Sequence, residues 1–202
     1  MTDLPTSAAL PALTAVILAG GSGSRLGGID KALLRWRGRT FLERIVEQLT
    51  PWATQLLINS NRCSHYDGVD LPVIADPWPE ARGPLAGLLA GLDAASEAWV
   101  LFLPCDCPQP AADLVPRLWR AIASDIDNLD LAYAGVGADS HYLFCLMRRS
   151  LRDDLRNYLQ QGGRAAHRWM ATQRSCRVDF GDAAGAFLNI NSPRELNDLH
   201  TD

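Results

Sequence analysis

Apolar and polar residues divide this chain into short unbroken apolar runs and longer stretches of helical period. Ala15-Val16-Ile17-Leu18-Ala19 is uninterrupted and stops at Gly20-Gly21, as expected of a strand buried on both faces of a parallel sheet. Residues 56–58, 73–75 and 99–103 repeat the pattern, the last stopped by Pro104, and 131–136 and 142–147 read as later strands. Between them, Phe41, Leu42, Ile45, Val46 and Leu49 form one apolar stripe behind a Thr40/Glu43 capping box, which predicts a helix over 41–49. Helices are also expected over 83–95, over 113–123 with Pro116 tolerated only in the first turn, and from Ser150 to about residue 160. Another should start at Ser192-Pro193-Arg194-Glu195, which joins an N-cap, a first-turn proline and a capping glutamate. Strands alternating with helices predict an α/β fold, a three-layer sandwich around a mostly parallel, Rossmann-like sheet.

Length and composition narrow the class. At 202 residues, a single domain over 1–202 is expected, with residues 1–12 as a flexible lead. A chain 48% hydrophobic and 21% charged is not disordered throughout. Nineteen basic against 23 acidic residues leave a net charge of −4 and no general positive field for a nucleic acid, so a phosphate ligand must be held locally. The apolar stretch 8–21 is broken by Pro11 and has no basic residue before it, which fits neither a secretory signal nor a membrane span. A cytoplasmic location without a membrane partner is the expectation. The five cysteines form no CxxC pair and read as reduced thiols used mainly for packing.

In open parallel sheets, ligands bind beyond the carboxyl ends of the strands. Gly20-Gly21, Asn59, Asp76 and Asp106 each follow a predicted strand, so glycines and polar side chains recur where a ligand would sit. The loop from Gly20 to Lys31 is dense in glycine and lets backbone amides approach a phosphate chain. It is not a P-loop, because Ile29 stands where lysine must follow Gly28, and a dinucleotide-type GxGxxG from Gly21 fails at Leu26.

The run Leu18-Ala19-Gly20-Gly21, Arg25-Leu26-Gly27 and Asp30-Lys31 resembles the signature of nucleotidyltransferases that activate a phosphorylated acceptor with a nucleoside triphosphate. Together with Asn59-Ser60-Asn61-Arg62, Gly83-Pro84-Leu85-Ala86-Gly87, Pro104-Cys105-Asp106 and Asn189-Ile190-Asn191-Ser192-Pro193-Arg194, it resembles the molybdenum cofactor guanylyltransferases in the same order along residues 13–199. The resemblance implies transfer of GMP from GTP to the phosphate of molybdenum-molybdopterin, with Mg2+ and release of pyrophosphate. Proteins that deliver the cofactor are implied partners. A cytidylyl-transferring relative, a sugar-phosphate nucleotidyltransferase and a non-catalytic nucleotide-binding module are the competing readings; 202 residues leave little room for a sugar-binding lobe.

Nucleotidyl transfer places charge on both sides of the reacting phosphorus, so cations and a metal are needed. Within the resemblance, Asp106 is the Mg2+ ligand, and Lys31 and Arg25 are the cations on the triphosphate. Gly20 and Gly21 offer amides, Leu18 and Ala19 lie where the family brings backbone to the base, Asn59 reads a base or ribose edge, and Asp76 accepts from guanine or a ribose hydroxyl. His141, Asn189 and Asn191 are expected near the acceptor, although Tyr142 stands where the family has proline. Read from the residues alone, Asp106 also suits a cap, Asp76-Pro77 a turn, and the Asn189 segment a helix start.

Overall fold

The computed structural model describes residues 9–20, 30–78, 83–190 and 195. Strand β1 (Leu13–Leu18) sends Leu13, Ala15 and Ile17 to one face and Val16 to the other, all without solvent exposure. After a 3-10 turn at Lys31–Leu33 comes a hairpin of β2 (Arg35–Trp36) and β3 (Arg39–Thr40), turned by Arg37 and Gly38, both at positive φ. A two-residue turn with both central φ positive matches the twist of paired strands, and Gly38 was its one sequence signal. Helix α1 (Phe41–Leu49) begins with both bonds of the Thr40/Glu43 capping box.

Strands β4 (Gln55–Asn59) and β5 (Val73–Ile74) precede helix α2 (Pro84–Ala94), whose entry uses Gly83 at φ +71° and Pro84 at the first helical position. Strand β6 (Trp99–Pro104) leads to helix α3 (Leu114–Ala123), with Pro116 in its first turn. Strands β7 (Leu131–Val136) and β8 (Asp139–Arg148) follow, then helices α4 (Arg152–Gln160) and α5 (Ala166–Met170), and finally β9 (Ser175–Asp179). Helix α4 is entered through a 3-10 turn at Arg149–Leu151, so Ser150 sits inside that turn and Leu151 takes the cap position without a side-chain bond. Helix α5, β9 and a 3-10 stretch at Gly181–Phe187 lay outside the sequence expectation. The helix expected from Ser192 falls largely outside the described residues, as does most of the N-terminal lead.

The sheet runs β5-β4-β1-β6-β8-β7-β9, with β8 alone antiparallel to its neighbours. The direction of β8 follows from its connection: Gly137 and Ala138 are too few for a crossover, so β7 and β8 must form a hairpin. Helices α1 and α3 cover one face through Leu42, Ile45, Leu49, Leu114, Leu118 and Ile122; α2, α4 and α5 cover the other through Leu85, Leu88, Leu92, Leu155, Leu159 and Trp169. The three-layer α/β sandwich is thus present, its sheet mostly parallel. Of the described residues, no helix is long and apolar enough to cross a membrane.

At the edge opposite the strand ends that carry the site, Arg174 grips both carboxylate oxygens of Asp130 at 2.7 and 2.8 Å, and Arg148 adds a third contact at 2.9 Å. These donors, Arg174 foremost, hold the Asp130 carboxyl below its ordinary value of 3.8. A depressed folded-state value makes this stability fully present above the ordinary carboxylate range and lost as pH falls through the folded value. Asp130→Asn should cost on the order of 1 kcal/mol at pH 7, discounted for the exposed Arg174 partner, and the difference from wild type in urea unfolding should vanish towards pH 2.

Candidate active site

The carboxyl ends of β5, β4, β1 and β6 surround a cavity of about 340 Å³. Its walls include Leu18 at the end of β1 with Ala19 and Gly20 after it, Asn59 at the end of β4 with Asn61 beyond it, Asp76 after β5, and Cys105 and Asp106 after β6. Sheet bonds fix the floor: the Ala19 N–H donates to the Asn59 carbonyl at 2.8 Å, and the Cys105 N–H to the Leu18 carbonyl at 3.0 Å. Three inter-strand spacings separate Asp76 from Asp106, roughly 14 Å at about 4.8 Å each. That span accommodates a base at one end and phosphates at the other.

At the phosphate-sized end, Lys31 Nζ lies 2.9 Å from Asp106 Oδ2, and both side chains are more than four-fifths buried. Asp106 Oδ1 is buried and accepts no hydrogen bond among the described residues. Such an oxygen bears the desolvation cost of a charged acceptor without recompense, which fits a cation that binds there. Among the described residues no group of three or more His, Cys, Asp or Glu comes together, so any metal at Asp106 would take most of its ligands from phosphate and water, as Mg2+ does.

Lys31 owes its placement to the residue before it. Asp30 caps the 3-10 turn, accepting from the Ala32 N–H at 3.1 Å, while its other oxygen accepts from the Tyr66 hydroxyl at 2.8 Å and lies 3.3 Å from His65 Nδ1. Tyr66 is fully buried, and burial, then the Asp30 carboxylate, raise its hydroxyl well above the usual range, so it remains a donor. Cys105 and Cys107 flank Asp106; burial raises both thiols, that of Cys107 to about 12. They remain protonated and serve packing, and Cys107 Sγ donates to the Ala186 carbonyl.

The opposite end is built from amides. Asn59 Nδ2 donates to Asp76 Oδ1 at 3.0 Å and Asn61 Nδ2 to Asp76 Oδ2 at 2.8 Å. Gly87 of α2 supplies the room: a Cβ there would stand 2.4 Å from Asn59 Oδ1 and 3.1 Å from Leu18 Cδ2. A second, larger cleft of about 980 Å³ lies beside Asp106, lined by 107–112, 182–186, Leu188, Asn189 and Ile190. The Ile190 N–H donates to the Asp106 carbonyl at 2.9 Å, which ties a wall residue of the larger cleft to a wall residue of the smaller cavity.

Residues 15–176 match a family model described as the MobA-like NTP transferase domain. Over 189 residues the chain is 43% identical to the molybdenum cofactor guanylyltransferase of Cupriavidus pinatubonensis, covering 91% of this chain and 94% of that one. The chain belongs to the molybdenum cofactor guanylyltransferase family. Another member, from Mannheimia succiniciproducens, is 38% identical over 186 residues, covering 92% of this chain and 97% of that one. The fold agrees with the crystal structure of molybdopterin-guanine dinucleotide biosynthesis protein A from Archaeoglobus fulgidus, at TM-score 0.76 and 19% identity over 93% of this chain and 97% of that one.

Against this guanylyltransferase frame, Leu18, Ala19, Gly20, Lys31, Asn59, Asp76 and Asp106 all line the smaller cavity, and Asn189 lines the larger cleft. Gly21, Arg25 and Asn191 lie outside the described residues. His141 lines neither cavity: its ring packs 4.9 Å from Phe187 and 6.1 Å from Phe144. Burial lowers its pKa, with Asp139 opposing and Arg177 adding to the effect. A bulge explains its turned position. Opposite Tyr133 and Ala134, β8 spends three extra residues, 142–144, which sends Tyr142 against Tyr133 at 4.9 Å and brings Leu143 to the cavity wall. Asp30, Asn61 and Tyr66 had no role in the sequence reading. Asp30 and Asn61 stood inside recognised motifs; for Tyr66, no local pattern marks a partner 36 residues away.

Proposed function

We propose that the protein transfers GMP from GTP to the terminal phosphate of molybdenum-molybdopterin, forming the guanine dinucleotide and releasing pyrophosphate. The observation that carries this reading is the buried Lys31–Asp106 pair with its unsatisfied Asp106 oxygen, in the wall of a nucleotide-sized cavity and next in the chain to Cys107 of a larger cleft. GTP occupies the smaller cavity, its base towards Asn59 and Asp76 and its phosphates towards Lys31. The acceptor lies in the cleft beside Asn189, so that its phosphate oxygen approaches the α-phosphorus opposite the leaving pyrophosphate. An O–P bond forms as the bond to the β-phosphate bridging oxygen breaks, and Lys31 offsets charge on the phosphate oxygens. Mg2+, when held by Asp106, supplies further neutralisation of the triphosphate. Burial keeps Asp106 and Lys31 from competing water, which strengthens both interactions.

Pyrophosphate release, measured with GTP, CTP, ATP and UTP and purified molybdopterin, tests the assignment. GTP should be the preferred donor. Equal or better turnover with CTP would move the protein to a cytidylyl-transferring activity, and turnover only with a sugar phosphate would overturn the acceptor. Gly87→Ala should weaken GTP binding about tenfold by calorimetry, because the added methyl displaces Asn59 and breaks its bond to Asp76.

A further inference from the structure

Asn61 stands two residues beyond the end of β4, on the exposed rim of the cavity. Its side chain makes a reciprocal pair with one residue: Nδ2 donates to Asp76 Oδ2 at 2.8 Å, while Oδ1 accepts from the Asp76 backbone N–H at 2.9 Å. The Asn59 amide holds the other carboxylate oxygen. The Asp76 carboxylate is therefore fixed in plane and position by two amides from one strand end. Each oxygen retains capacity for a second donor, since an ionised carboxylate accepts about four bonds. Two parallel acceptors match the adjacent N1–H and 2-amino donors of guanine. Cytosine presents acceptors at the corresponding edge, and hypoxanthine lacks the 2-amino donor.

We infer that Asn61 is a positioning residue for base selection, orienting the Asp76 carboxylate so that it accepts from the N1–H and the 2-amino group of a guanine nucleotide. This rests on the guanylyl reading above and deepens it. An isosteric change separates orientation from packing: Asn61→Asp keeps the acceptor for the Asp76 N–H but sets a second carboxylate against Oδ2 in place of a donor. Added negative charge weakens every triphosphate alike, so the informative quantity is a ratio.

Equilibrium binding of GTP, ITP and CTP should be measured on the wild type, Asn61→Asp and Asn61→Ala, with thermal melts as a check of folding. The wild type should bind GTP roughly tenfold or more tightly than ITP, the value of one hydrogen bond to a charged acceptor. In Asn61→Asp the GTP:ITP ratio should fall to within about threefold of one, and Asn61→Ala, free of the added charge, should fall in the same direction. A wild type that prefers GTP to CTP while both variants keep its GTP:ITP ratio overturns the role of Asn61 and leaves the guanylyl reading standing. A uniform loss for all three nucleotides marks a structural role and equally overturns it. No preference for GTP over CTP in the wild type defeats the guanylyl reading and this inference together.

Discussion

Asp106→Asn is expected to reduce nucleotidyl transfer by about three orders of magnitude while leaving the fold intact. The wild-type carboxylate has one oxygen on Lys31 and one buried without a donor, so the charge there is costly to the resting protein. Asparagine keeps the shape, loses the charge that would hold a cation, and relieves part of that cost. Melting temperature should change little as activity disappears, because the relief at the unpaired oxygen is offset by the loss of the counter-charge to Lys31, whereas a structural carboxylate would give a large drop. Single-turnover GMP transfer and a thermal melt on the same preparation check both halves. Turnover near the wild-type rate would overturn the proposed role of Asp106 in holding a cation, and a collapse in stability would make it a structural residue.

Lys31→Ala should slow transfer by roughly two to three orders of magnitude, with Lys31→Arg recovering part of the rate. The ammonium is held at 2.9 Å from Asp106 on a turn that Asp30 caps, and its site is more than four-fifths buried, so its charge acts in a medium that screens weakly. Arginine restores charge but not the compact point donor, hence the partial rescue. Initial rates at saturating GTP isolate the effect on chemistry from that on affinity. A loss that comes only from a smaller amount of folded protein, with normal turnover per folded molecule, would assign Lys31 to stability instead.

Local pattern carried the strand and helix positions because a strand buried on both faces is an unbroken apolar run and a half-buried helix has a period of 3.6, and a short window contains either. The capping box at Thr40 and Glu43 spans three residues and was legible for the same reason. So were Gly20, Asn59, Asp76 and Asp106 as strand-end residues, since the fold rule needs only the strand assignments. The Arg37-Gly38 turn was harder to read, because arginine rarely adopts positive φ and contacts formed by the folded hairpin, the pairing of β2 with β3 and the Arg35 bond to the Gly38 carbonyl, accompany it there. Only the tertiary structure decided that β8 inserts between β6 and β7, and that its bulge brings Leu143 to the cavity while His141 packs on Phe187. The bond from Asn61 to Asp76 spans 15 residues, that from Tyr66 to Asp30 36, and that from Lys31 to Asp106 75. Sequence named Lys31, Asp76 and Asp106 but paired none of these residues, because their distances are set by strand order and register, and those are fixed by burial across the whole sheet.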